Sequence, residues 1–306
     1  MLAALLALSF SALASGKSKW LGNIIASSVP SNWGTYWNQV SPENGGKWGS
    51  VETSRGNYNW KDADTAYNYA KQNGLKFKWH TFVWGSQEPN WIGSLSAADK
   101  KSAISSYIAA VAQRYPSPDF IDVVNEALHA PSSIRDALGG SGSTGWDWIV
   151  WSFQEAKSRF GSATLLINEY GIINDGNAIR QYLEIVNVLK GKGLIGGIGI
   201  QCHQFNINDL SAATITSNLN SLAAAGLPIY VSELDINGNS ESDQSQKYQR
   251  VFPALWQHSS VKGITLWGYI SGQTWKDGTG IVESNGNERQ AMTWLKSYFA
   301  SSASNV

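Results

Sequence analysis

Short apolar runs rich in Val, Ile, Leu and aromatic residues recur along this chain, and most are separated by longer stretches with apolar positions three or four apart. A run of four to eight such residues bounded by turn formers reads as a strand buried on both faces, and the longer spacing as an amphipathic helix. Strands are predicted at 21–26, 39–44, 75–84, 120–127, 164–170, 195–202, 228–235 and 261–267. Helices are predicted at 60–72, 96–114, 146–160, 177–190, 211–224, 242–257 and 288–299. Their ends carry the expected punctuation: Ser96 stands at an N-cap, Asn73-Gly74, Gly161, Gly191 and Gly226 follow helices, and Tyr115-Pro116 stops another. Eight strands with helices between most of them predict the α/β class and a single-domain (β/α)8 TIM barrel closed by right-handed crossovers.

In such a barrel the site lies at the C-terminal ends of the strands. Those ends are where this chain turns polar and aromatic: Glu43, Asn44 and Lys47 after the second strand; His80, Trp84 and Gln87 after the third; Asn125 and Glu126 after the fourth. Tyr170 follows the fifth, Gln201 and His203 the sixth, Glu233 and Asp235 the seventh, and Trp267 and Trp275 the eighth. Phe120 to Glu126 and Pro228 to Glu233 share one design, an apolar strand that delivers a glutamate at its end. Taken alone, either glutamate also reads as a strand-end residue facing solvent. Each histidine, amide or indole likewise reads as a satisfied turn or a cover for the barrel rim. A buried carboxylate without a partner costs several kcal/mol or shifts its pKa upward, so a matched pair asks for a function. Period two puts Gln201 and His203 on one face, and Glu233 and Asp235 on one face. Cys202 then points toward the helices, where it is expected to be inert. Adjacent Asn125 and Glu126 both face the site only if the strand ends or bulges between them.

Composition narrows the partners. Charged residues are 15% of the chain, the formal net charge is +0, and there are 15 Trp and 12 Tyr. No basic stripe invites nucleic acid, and 42% hydrophobic content excludes a disordered chain. An excess of Trp with Asn, Gln and Gly suits a sugar-binding cleft, because indole faces stack on pyranose rings and amides bond to hydroxyls. The single Cys202 excludes an internal disulfide and a cysteine zinc site. With no metal-ligand spacing and no phosphate-type glycine loop, no metal and no cofactor is expected. Residues 1–16 form an apolar run ending in small residues, without a basic start. They read as the remnant of a secretion signal, leaving 17–306 as the catalytic domain of a secreted, extracellular protein. The run is shorter than the roughly 20 residues that span a bilayer. No membrane segment is expected, and the protein is expected to act as a monomer.

The motifs, taken in order, are specific. Pro42-Glu43-Asn44 with Lys47-Trp48, Trp79-His80-Thr81 with Val83-Trp84 and Gln87, and Asp122-Val123-Val124-Asn125-Glu126 come first. Gly199-Ile200-Gln201 with His203, Ser232-Glu233-Leu234-Asp235 and Leu266-Trp267-Gly268 follow. With these the chain closely resembles the family-10 glycoside hydrolases, the endo-β-1,4-xylanases built on a (β/α)8 barrel, from about residue 20 to residue 299. The resemblance implies that Glu126 is the acid/base and Glu233 the nucleophile of a retaining hydrolysis of xylan and xylo-oligosaccharides. It implies glycone-side contacts by Glu43, Asn44, Lys47, His80, Trp84, Gln87, Asn125, Gln201, His203, Trp267 and Trp275, with Asp235 orienting His203. Tyr170 resembles the leaving-group-side platform, and Gln87 and Trp275 are expected to crowd the space at C5 of the sugar. Two local departures stand out: Gly45-Gly46 replaces a bulkier residue before the lysine, and the loop 269–274 is not the common one. An endo-β-1,4-glucanase on the same barrel, or a catalytically silent polysaccharide-binding barrel, are the other readings.

Overall fold

A computed structural model describes residues 12–306. Its strands are β1 (Trp20–Ile25), β2 (Gln39–Pro42), β3 (Lys76–Val83), β4 (Phe120–Asn125), β5 (Thr164–Glu169), β6 (Gly197–Ile200), β7 (Ile229–Leu234) and β8 (Val261–Leu266). They pair in chain order, all parallel, and β8 pairs with β1 to close the barrel. All seven predicted helices are present around it, at Lys61–Gln72, Ala97–Arg114, Asp147–Arg159, Gly176–Gly191, Ala212–Ala223, Glu241–Trp256 and Gln290–Ala300. Ser96, Asp175, Ser211 and Ser240 cap four of them by accepting backbone N–H groups of the first turn.

Most strands end earlier than predicted, at Pro42, Asn125, Glu169, Ile200, Leu234 and Leu266. The residues just beyond continue the apolar and polar alternation but leave the ladder to turn toward the site. Three helices of four residues, Trp33–Tyr36, Trp48–Val51 and Gln204–Ile207, sit within the connections. They are too short to show a helical period in sequence.

Inside the barrel, the lower end is an aromatic plug. Trp20 stacks on Tyr230 with centroids 5.1 Å apart and meets Phe120 at 4.6 Å, and Leu166 completes the cluster. Glycines make this possible: a Cβ on Gly263 would fall 2.1 Å from the Trp20 ring, and one on Gly197 2.5 Å from Tyr230. Glycine inside a strand marks such close approach of a neighbouring group. Above the plug the interior turns polar. Thr265 donates to Gln39 at 2.6 Å, Lys78 to Asp122 at 2.7 Å, and Ser232 to Asn168 at 2.5 Å, all fully buried. Cys202 packs among the apolar side chains outside the strands, and burial pushes its thiol up.

The expected leader lies outside the described residues up to position 11. Beyond that point Ala12 and Ala14 are buried, Leu13 N–H donates to the Tyr36 carbonyl at 3.1 Å, and Asn38 donates to the Ala14 carbonyl at 3.2 Å. The folded body therefore takes in residues 12–16, which the sequence reading assigned to the leader. Among the described residues no helix is long and apolar enough to cross a membrane.

Candidate active site

At the C-terminal end of the barrel, Glu43, Asn44, Lys47, His80, Trp84, Gln87, Glu126, Tyr170, Gln201, His203, Glu233, Trp267 and Trp275 line one cavity of about 430 Å³. Two of the expected site residues stand behind it instead. Asn125 is buried and faces its neighbours Asn168 and Glu126, and Asp235 is buried beneath His203.

Left-handed backbone turns the chain toward the cavity at two strand ends. β4 ends at Asn125, and Glu126 takes φ +55°, with its N–H donating to the Asn168 carbonyl at 2.8 Å. Cys202 does the same at φ +62° between Gln201 and His203. Left-handed conformations at non-glycine residues cost of order 1–3 kcal/mol. Here they aim Glu126 at the cavity while Asn125 stays in the barrel: the strand ends between them as expected, but of the two only Glu126 lines the cavity.

The two glutamates have different surroundings. Glu233 is 5% exposed; Asn168 donates to its Oε1 at 2.7 Å, His203 Nε2 lies 3.2 Å from Oε2, and His80 Nδ1 lies 3.9 Å from Oε1. Burial by itself would push this carboxyl up, but His80, the hydrogen bond from His203 and Lys78 outweigh it and hold it down to about 2. For His203, burial works against the charged ring, and Asp235 and Glu233 overcome it and push the imidazole up to about 9. Asp235 Oδ2 sits 2.8 Å from His203 Nδ1 and accepts from Trp275 Nε1 at 2.7 Å, while Oδ1 accepts the Gln204 N–H at 2.7 Å. Glu126 meets neutral donors: Trp84 Nε1 at 2.8 Å, Gln201 Nε2 at 3.1 Å and Asn125 Nδ2 at 3.4 Å. The two carboxyls are joined through amides, since Asn168 Nδ2 donates both to Glu233 and to Asn125 Oδ1.

Elsewhere in the lining, Lys47 donates to Asn44 at 2.9 Å, and its Nζ lies 5.0 Å from the Trp84 ring and 5.9 Å from the Trp267 ring. Burial pulls the lysine down, partly offset by Glu233, Glu43 and Glu126; burial pushes Glu43 up, partly offset by Lys47. The departure at Gly45-Gly46 is a packing requirement. A Cβ at Gly45 would meet Ala63 N at 2.7 Å, and one at Gly46 the His80 carbonyl at 2.3 Å. That tightness seats the Glu43 to Lys47 turn directly against β3.

Sequence reasoning missed Ser86 and Phe205 in the lining, and Lys78, Asp122 and Asn168 beneath it. Phe205 lies in the short helix Gln204–Ile207, beyond the reach of the strand alternation that pairs Gln201 with His203. Lys78 and Asp122 are charges inside apolar runs, two residues from His80 and three from Asn125. Among the described residues no three His, Cys, Asp or Glu side chains are grouped to hold a metal ion.

Comparison with known proteins follows the same path. The profile of glycosyl hydrolase family 10 matches residues 8–298. "Endo-1,4-beta-xylanase B" of Cellvibrio japonicus is 40% identical over 283 residues, covering 90% of this chain and 45% of that protein. The chain thus spans less than half the length of that relative. "Endo-1,4-beta-xylanase 3" of Hypocrea jecorina is 33% identical, covering 83% of this chain and 73% of that one. The crystal structure of native xylanase 10B from Thermotoga maritima shares the fold with a TM-score of 0.81 at 24% identity, over 94% of this chain and 97% of that chain. With its barrel, its paired glutamates and this match over nearly its whole length, the chain belongs to glycosyl hydrolase family 10.

Proposed function

We propose that this chain is an endo-β-1,4-xylanase that cleaves xylan and xylo-oligosaccharides with retention of configuration. The observation that carries the reading is the split between the two carboxyls: Glu233 is set among His203, His80 and Lys78, and Glu126 among neutral donors. A nucleophile must be ionised when substrate arrives, and a cationic setting favours that form. An acid must reach the leaving oxygen, and Glu126 lines the cavity, held there by Trp84 and Gln201. The names of the two relatives, both endo-1,4-β-xylanases, support xylan as the substrate.

In the first step Glu233 attacks the anomeric carbon as the glycosidic bond breaks, and the leaving oxygen takes the proton of Glu126. The ester so formed on Glu233 is cleaved in the second step by water, whose proton passes to Glu126 and restores both groups. Retention requires the carboxyls to stand roughly 5–5.5 Å apart. Trp84, Trp267 and Lys47 hold the glycone, and Tyr170 is the platform beyond the cleaved bond. The leader-like start supports export to the extracellular space, where xylan is met.

Reducing-sugar release from xylan, carboxymethylcellulose and mannan, measured side by side, tests the substrate. Xylan is expected to lead, and the first-formed product is expected to be the β-anomer by NMR. Equal or better turnover of carboxymethylcellulose would assign the site to glucan, and an α-anomer first would replace retention by inversion.

A further inference from the structure

At the leaving-group end lies a pair that the mechanism above does not use. Glu169 closes β5 with a fully buried side chain. Its Oε2 accepts the Leu128 N–H at 2.8 Å, and its Oε1 accepts the Tyr170 N–H at 2.9 Å and faces His129 Nδ1 at 2.9 Å. His129 belongs to the turn that begins at Glu126, where the Ala130 N–H donates to the Glu126 carbonyl at 2.8 Å. Its ring stacks on Tyr170 with centroids 4.1 Å apart and planes 27° from parallel. Gly171, at φ +69°, makes room for it: a Cβ there would come within 3.3 Å of His129 Cε1. Neither His129 nor Glu169 lines the cavity, whereas Tyr170 does. At the edge of Tyr170, Phe205 stands 6.0 Å away and 78° inclined, 49% exposed, so the two rings form an aromatic corner open to the cleft.

Resting on the xylan reading, we propose that His129, fixed by Glu169, is a positioning residue that sets the tilt of Tyr170. It thereby sets the affinity of the corner with Phe205 for the first sugar beyond the cleaved bond. A ring backed on one face by an imidazole has only its other face to offer, and a locked platform loses less entropy on binding than a free one. The Glu169 carboxyl serves the lock, because with both oxygens committed to two backbone N–H groups and to the imidazole it has one orientation. Burial pushes this carboxyl up to about 7 against those donors, so a proton stays between Oε1 and Nδ1 near neutral pH.

A plain loop staple and a positioning residue differ in which substrates suffer. Breaking a staple displaces Glu126 and harms every substrate alike. Loosening Tyr170 harms those with a sugar on the leaving side. The test compares His129→Ala, His129→Phe and His129→Gln with wild type on xylotetraose and on an aryl β-xylobioside. It also measures how the glycosyl-enzyme divides between water and added xylobiose. For His129→Ala, kcat/KM on xylotetraose should fall on the order of tenfold, mainly through KM, for the loss of one aromatic stack and one charge-assisted hydrogen bond. The aryl xylobioside should lose less than about a third of that factor, and transfer to xylobiose should drop against hydrolysis. His129→Phe, which keeps the stack, should recover more than His129→Gln, which keeps only a donor; this ordering still decides if the Ala variant does not fold. Equal losses on both substrates, no loss, or better recovery by Gln than by Phe would overturn the proposal. Failure of the xylan reading is seen separately, in wild type: if it prefers cello-oligosaccharides, the same ratio is read on cellotetraose and an aryl cellobioside, and if it cleaves neither series the proposal falls with the reading.

Discussion

Glu126 and Glu233 both stand at the end of a parallel strand, yet the barrel treats them differently. Glu233 sits deep, with His203, His80 and Lys78 around it and Asn168 bonded to it. Glu126 is only partly buried, turned out by its left-handed backbone and touched by the indole of Trp84 and the amides of Gln201 and Asn125. The lesson is that environment, not residue type, separates the two carboxyls: cationic groups hold one ionised, while neutral donors hold the other at the cavity wall.

The comparison breaks most sharply at Glu233. Glu233→Ala should lower kcat on xylan by roughly 10⁴-fold or more, since the proposed covalent intermediate forms on that carboxylate. Added azide should then restore turnover of an aryl xylobioside with inverted configuration at the product. With Glu126 as the proposed acid, Glu126→Ala should cost on the order of 10²–10⁴-fold on xylan. Its effect on an aryl xylobioside with a good leaving group should be much smaller, because that group departs without a proton. Similar losses on both substrates would contradict the assignment of roles.

His203 sharpens the same comparison through pH. Without it Glu233 loses one of the groups that hold it down to about 2, so in His203→Ala the acidic limb of kcat/KM should move to higher pH. Stability follows with a definite sign. Glu233 is depressed from its ordinary 4.5, so its contribution is present above about pH 4.5 and is lost as pH falls through about 2. His203 is raised from its ordinary 6.5, so its contribution is complete below about pH 6.5 and is lost as pH rises through about 9. Both are complete between about pH 4.5 and 6.5, where Tm should peak in wild type. The variant should give a flatter curve, and superimposable curves would show that the pair contributes nothing.

Much of this was legible in the chain because apolar runs of strand length are hard to place anywhere but a buried parallel sheet. Both glutamates were legible as well, each marked by an abrupt polar residue at the end of such a run. What escaped is how deep along the barrel a strand position lies. Lys76 and Lys78 look alike in sequence and share a face by period two, but Lys76, the first residue of β3, is exposed with its Nζ over the Phe120 ring, and Lys78 is buried on Asp122. Only depth along the strand separates them. His129 and Glu169 escaped for a related reason: 40 residues apart, they meet because β4 and β5 are neighbours, and no local pattern announces a pair across strands. The short helix Gln204–Ile207 hid Phe205 similarly, since a loop reading has no direction for its side chain.

The smallest effect expected concerns the wall that tells xylose from glucose. Xylose lacks the hydroxymethyl group on C5, so selectivity comes from filling that space, by resemblance with Gln87 and Trp275. Excluding one small group is worth about 1–3 kcal/mol, or roughly 10–200-fold in kcat/KM. A wall works only if it cannot yield, and here three hydrogen bonds oppose retreat. Trp275 Nε1 is tied to Asp235, the carboxylate that also orients His203. Gln244 donates to the carbonyls of Gly278 and Gly280 at 3.0 and 3.1 Å and so pins the far end of the loop to the helix Glu241–Trp256. Trp275 remains 44% exposed, which leaves the wall thinner than a buried one. Trp275→Phe should therefore narrow the preference for xylan over carboxymethylcellulose by a factor below about ten, and Gln244→Ala should do the same without touching substrate. Because Trp275 shares Asp235 with His203, Trp275→Phe should also move the acidic limb, in which Gln244→Ala should leave no mark. An unchanged substrate ratio in both variants would move the wall elsewhere while leaving the contrast between Glu126 and Glu233 intact.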